Sequence, residues 1–331
     1  MSGHAYNVSC PGKLAGVCAY THLPAWSQHG NPHEATDAEC AKIRDNLKHD
    51  RIIEKRTWSQ LYQDMVVASL FSSAITPRSS VYVDLAANAA VHDSNTYLFD
   101  RCLGWRGLCV EPNPKYESQH RQKRSSRFAR ACVSSDTTSE VVFDLSNIGQ
   151  LGHIERKARP IETLHGNKMR MRCLSLSRLL LDAGISHVDY LSLDVERAEL
   201  SALQSVDWTR TTVTIMTVEE PTSQVIELMR KQALEPMFCL FGDALFANVK
   251  HKASVQSWYD RVGSRLRTLD SMRRIIISTK LSECTHAGLS RHPSSQQRQS
   301  ASARDVRMEL PFNVSLDLRL PSIMSWKNVS S

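Results

Sequence analysis

Val81-Tyr82-Val83-Asp84-Leu85-Ala86-Ala87-Asn88 decides how the rest of the chain is read. An apolar, β-branched run ends in a carboxylate, two small residues and an amide, and a helical pattern follows. A buried parallel strand presents an acid at the carboxyl edge of its sheet in this way, and small residues there let a ligand approach the backbone. The next strand-like run, Gly107-Leu108-Cys109-Val110-Glu111, also ends in an acid. The spacing from Asp84 to Glu111 fits one strand–helix–strand unit. A third run, Val188-Asp189-Tyr190-Leu191-Ser192-Leu193-Asp194-Val195-Glu196, repeats the pattern.

Working outward, the pattern predicts an α/β fold, a doubly wound, mostly parallel sheet with N- and C-terminal extensions. A helical stripe over Arg56–Phe71 precedes the first strand. Helices are expected at Ser94–Leu103, at Tyr116–Arg124 (polar and exposed), from Ser175 or Ser177 to Gly184, and at Gln224–Ala233. Further strands are expected at Phe128–Val133, Glu140–Asp144, Met169–Leu174 and Val213–Val218. Glu235–Leu240 and Ala244–Val249 read as a closing hairpin. Glu199 follows Glu196 by three residues, which would put both on one face of a helix already begun.

Five segments are expected: a loosely ordered extension over 1–50, the α/β domain over 51–250, a basic amphipathic helical segment over 251–280, a linker over 281–308 and a strand-like end over 309–331. The linker is rich in Ser, Gln and Arg, and Leu310, Phe312, Val314, Leu316, Leu318 and Leu320 alternate in the last segment. Residues 251–308 hold eleven Lys/Arg and four Asp/Glu, which equals the whole net charge of +7. The α/β body is therefore balanced, and a nucleic-acid binder is not expected. Contact of 251–280 with a membrane surface is less favoured than packing back on the domain.

Nine cysteines without metal-type spacing read as buried free thiols, with no disulfide framework and no metal. No apolar run reaches ~20 residues and Met1-Ser2-Gly3-His4 does not open a signal sequence, which favours a cytoplasmic protein. On that reading the sequons at Asn7, Asn313 and Asn328 have no role. No Gly-x-Gly-x-x-Gly follows the first strand, which argues against a nicotinamide enzyme.

The three acid-tipped runs, with Gly104-Trp105-Arg106 before the second, Pro112-Asn113-Pro114 after it, Arg197-Ala198-Glu199 after the third, and Ser59-Gln60 and Gln63-Asp64 ahead of the first, resemble the FkbM-type S-adenosylmethionine-dependent methyltransferases. The resemblance covers roughly residues 56–250. It implies a Rossmann-like sheet of the class I methyltransferase type, S-adenosyl-L-methionine as cofactor, and methyl transfer to a hydroxyl of a small molecule, sugar or lipid. It places Asp84, Ala86 and Asn88 at the methionine end of the cofactor, Glu111 on the ribose, Ser134 or its neighbours beside the adenine, and Asp194 nearest the methyl group. The proton of the acceptor hydroxyl needs a base. The candidates are Asp194, Glu196 and Glu219, with His153 and His92 behind them. The family has glycine where this chain has Ala86 and Arg197. Arg197 leaves a second reading open, a catalytically degenerate binding or scaffold protein on the same fold.

Overall fold

The computed structural model describes residues 33–49, 57–60, 62–71, 80–144, 153–155, 168–240, 243–251 and 277–278. Its main sheet is built on β1 (Val81–Leu85), flanked by β2 (Arg106–Val110) and β7 (His187–Leu193). β3 (Arg127–Ala129) lies outside β2, and β8 (Thr212–Glu219) outside β7, all parallel. β10 (Asp243–Asn248) pairs antiparallel with β8 and with β9 (Leu234–Leu240). The two-residue β11 (Ile277–Ser278) closes the order β11-β9-β10-β8-β7-β1-β2-β3. Strand order reverses beside β1, the point at which open α/β sheets bind ligands. The doubly wound expectation holds.

The side-chain period of two in β1 sorts its residues between two apolar cores. Val83 and Leu85 join Leu108, Val110, Leu191, Leu193, Met216 and Val218. That face is covered by α5 (Leu176–Ala183), α6 (Glu199–Gln204) and α7 (Ser223–Lys231). Tyr82 points the other way with Cys109, Tyr190 and Ile215. The second face is covered by α1 (Asp37–Lys48), α2 (Gln63–Leu70) and α3 (Tyr97–Arg101). The same alternation sends Asp84, Glu111, Ser192 and Asp194 toward the α2–α3 side. The helix ends follow their sequence signals: Ser175 Oγ accepts from Arg178 N, and Gly184 closes α5 at φ 68°. β4 (Glu140–Asp144), β5 (His153–Glu155) and β6 (Lys168–Arg172) form a separate antiparallel sheet.

Several expectations are corrected. Within the supposedly loose first fifty residues, Thr36 and Glu39 form a reciprocal capping box that starts α1. The helix expected over Arg56–Phe71 is confined to Gln63–Leu70, because 57–60 and Tyr62 form a turn held by Asp64. The third strand ends at Ala129, with Val133 reduced to an isolated bridge to Leu174. The helix α4 (Glu117–Lys123) is not wholly exposed: His120 and the following Arg124 are buried. The cysteine reading holds for Cys109 and fails for four others. Cys40 is bonded to Cys102 and Cys132 to Cys173, while Cys109 is a buried free thiol. Partners 62 and 41 residues apart leave no local spacing to read. Loop-closure entropy assigns each such bond about 4 kcal/mol. Most of the expected helical segment over 251–280, the linker over 281–308, the strand-like end over 309–331 and the three sequons lie outside the described residues.

Gly107 packs where a Cβ would enter the Tyr82 ring, which is itself wholly buried. Gly107→Ala is expected to lower stability by about 1–3 kcal/mol through overpacking, read by chemical denaturation.

Candidate functional site

Asp84, the last residue but one of β1, is a buried carboxyl that accepts a 2.5 Å hydrogen bond from Thr96 Oγ1. Thr96 Oγ1 in turn accepts from Arg124 Nη2 at 2.7 Å. The Arg124 guanidinium is fully engaged, donating also to Ala90 O, Ser94 Oγ, Tyr82 OH and Asp100. Asp100 accepts further from Tyr82 OH at 2.6 Å and from the amides of Ser125 and Ser126. Burial acts to raise the Asp100 pKa, yet Arg124 and these hydrogen bonds hold it below the usual carboxylate value. At Asp84 burial wins and pushes the carboxyl up to about 6, against Thr96 and Arg124.

The turn after β1 takes Ala86 and Asn88 into the left-handed region, at φ 59° and 47°. Asn88 N donates to Glu111 Oε2 at 3.0 Å, and Asn113 N to Oε1 at 2.7 Å. His120 Nε2 donates to Asn88 O at 2.9 Å, so the buried face of α4 braces the turn. Each Glu111 oxygen has accepted one hydrogen bond and retains capacity for another. Burial lifts Glu111 to about 7, opposed by those amides and by Lys115.

The ends of β7 and β8 carry a second group. One carboxylate oxygen each from Asp194, Glu196 and Glu219 lies within 4.8 Å of the others, a spacing that an oxygen-ligated divalent cation spans. Burial, then the adjacent Asp194 carboxylate, drives the Glu219 pKa strongly up. Burial, then Asp194 and Glu199, lifts Glu196 to about 7. Asp243, opposite Glu219 in the ladder, is raised to about 7 by burial and Asp194, and accepts from Gln63 Nε2 at 2.8 Å. Asp194 acts electrostatically on Asp84, and Asp84 on Glu111. The acids thus form one continuous group along the strand tips.

Glu199 is the first residue of α6, and Glu196 precedes it in a turn at φ 52°, so the two do not share a helix face as expected. Glu199 Oε1 accepts instead from the Val195 and Arg197 amides and fixes that turn. Ser134 bonds to Ser201 of α6 and to the Asp136 amide. His92 pairs with Asp93, and His153 belongs to β5 of the smaller sheet. Thr96, Arg124 and Asp243 were not among the expected site residues, and no local signal marks them. Gln63 stood in the Ser59-Gln60 and Gln63-Asp64 pairs of the family resemblance but carried no assigned role.

Residues 84–233 match the protein-family model described as the methyltransferase FkbM domain. The matched segment begins at Asp84 and contains every acid of the site except Asp243, which β10 adds from outside its limits. No curated protein matches the chain. Among solved structures, the crystal structure of precorrin-6y C5,15-methyltransferase from Geobacter metallireducens GS-15 is similar over 56% of this chain and 79% of that one. Identity there is 12% and the TM-score 0.30, too slight a likeness to carry an argument.

Ala86 is held at a backbone angle that costs an L-residue roughly 1–2 kcal/mol. Ala86→Gly is expected to stabilise the protein by about 1 kcal/mol, seen as a raised Tm. A second test concerns pH. Asp84 and Glu111 are raised from 3.8 and 4.5, so their contribution to stability is full below about pH 4 and lost as pH climbs through about 6 to 7. Glu111→Gln, which sets an amide against a backbone donor, should melt below wild type at pH 5 yet show a shallower fall in Tm to pH 8.

Proposed function

We propose that the FkbM domain uses S-adenosyl-L-methionine to methylate a hydroxyl group on a small molecule, sugar or lipid. The observation that carries this reading is the line of carboxyls from Glu111 through Asp84 to Asp194 along neighbouring parallel strand tips. The donor set fits the cofactor. Glu111 retains lone pairs for a vicinal diol, and the remaining acids favour a cationic centre by field alone. When bound, the cofactor supplies an electrophilic methyl group.

The chain's own residues do the rest. Asp84, steadied by Thr96 and Arg124, and the Ala86–Asn88 backbone would hold the amino-acid end. Glu111 would take the ribose, and Ser134 would edge the adenine. Asp194 would lie nearest the reacting carbon. Glu219, its pKa driven up by burial and by Asp194, would orient Asp194 rather than act as base. Glu196, with a pKa of about 7, is suited to receive the proton of the acceptor hydroxyl. Alignment of the acceptor oxygen supplies the larger share of the acceleration.

A second reading, a binding protein on the same fold without turnover, is favoured by Arg197. Its φ of 74° lies in the turn between Glu196 and Glu199, so a guanidinium is carried next to the proposed base.

S-adenosylhomocysteine is expected to raise the Tm of the wild-type protein, and Glu111→Ala to remove that shift. An unshifted wild type would refute the cofactor assignment. Glu196→Gln should keep the shift, lower kcat about 10²-fold and remove the rise of rate through pH 7. A shift without turnover on any hydroxylated acceptor, with activity gained by Arg197→Gly, would favour the binding protein.

A further inference from the structure

We propose that this protein matures in an oxidising compartment, where Cys40–Cys102 and Cys132–Cys173 are structural disulfides required for its native fold. Both pairs have Cα atoms 4.6 Å apart, and all four residues are buried. Their places in the fold are not interchangeable with ordinary packing. α1 buries just three side chains, Cys40, Ile43 and Leu47. It reaches α3 through Arg44 to the Cys102 carbonyl, Asp37 to Arg101, and the Ala35 amide to Tyr97 OH. Two of those contacts end at Cys102 or its neighbour, so the covalent bond stands at the centre of the dock. α3 follows directly on Thr96, the residue that holds Asp84.

The second bond does the same on the other side of the sheet. Leu174 N donates to Cys132 O, and Ser134 N to Leu174 O. Cys132–Cys173 locks this short parallel bridge, which joins the end of the β3 strand to the start of α5. The thiol of Cys109 is buried beside Ser126, and burial pushes its pKa up to about 11. At that value it contributes almost no thiolate, so it does not scramble the two bonds.

Each bond forms by exchange with a disulfide donor of the oxidoreductase or glutathione-disulfide class. One cysteine thiolate attacks the donor disulfide and releases one donor thiolate. The second cysteine thiolate then displaces the mixed disulfide and releases the other. The two protein protons end on the two donor thiols, and the donor is reduced by two electrons. A glutathione-reduced cytosol opposes this reaction, whereas a secretory lumen or periplasm drives it. The sequons at Asn7, Asn313 and Asn328 are useful only in a lumen that also glycosylates.

The test is the full chain made in two settings, a eukaryotic secretory pathway and a reducing bacterial cytosol, with free thiols alkylated before lysis. Non-reducing peptide mapping of the secreted protein should return Cys40–Cys102 and Cys132–Cys173, with Cys109 alkylated only after denaturation. A phosphine reductant should lower its Tm by roughly 10 °C or more. The cytosolic product should be less soluble and melt at that lower temperature. Four alkylated cysteines in well-folded cytosolic protein of unchanged Tm, or other pairings in the secreted protein, would overturn the proposal. If loss of Cys40 prevents folding, the double substitution of Cys132 and Cys173 by alanine must still lower Tm for the proposal to stand.

Discussion

The hydrogen bond from Thr96 to the buried Asp84 carboxyl, with Arg124 behind it, is the constraint on which the site depends. A carboxyl taken out of water at a strand tip needs partners or a proton. Thr96 and Arg124 supply the first, and the raised pKa allows the second. Arg124 can be there because Asp100 is also buried and ionised against it, with Tyr82 OH between them. Tyr82 needs Gly107 beneath its ring. A glycine on β2, a tyrosine on β1 and an arginine after α4 are thus joined to one acid that faces the ligand edge.

The same logic extends to the other strand tips at lower cost. Glu111 is steadied by backbone amides, which accept no substitution by side-chain drift. Asp194, Glu196 and Glu219 are crowded together, which raises the Glu196 and Glu219 pKa values and makes that end of the site responsive to pH and to any cation placed among them. Asp243 ties this end to α2 through Gln63, and Asp64 pulls the preceding turn shut through Thr57, Trp58 and Ser59. The elements before residue 84, outside the matched family segment, are therefore part of the same buried unit. The disulfide to Cys102 makes that attachment covalent.

How much could be read in advance differs by the range of the physics involved. Val81–Asp84 and His187–Asp194 announce themselves because alternation and an acid at the tip are local patterns. Ser175 and Gly184 mark α5 by cap chemistry within its own turn. Arg124 did not announce itself: its stretch is polar, and nothing local says that a guanidinium will be covered from every side. Glu199 was expected to share a helix face with Glu196 and is instead a turn clamp, a distinction made by where α6 begins. The cysteines misled because a buried thiol and a disulfide half have the same apolar neighbours.

The chain alone determined the strand–helix alternation and the acids at three strand tips, since each of these is set within a few residues. Only the tertiary structure decided which carboxyls keep a proton, which cysteines meet and which polar side chains vanish from water. Those outcomes depend on distances between segments tens of residues apart, and a linear sequence does not state such distances.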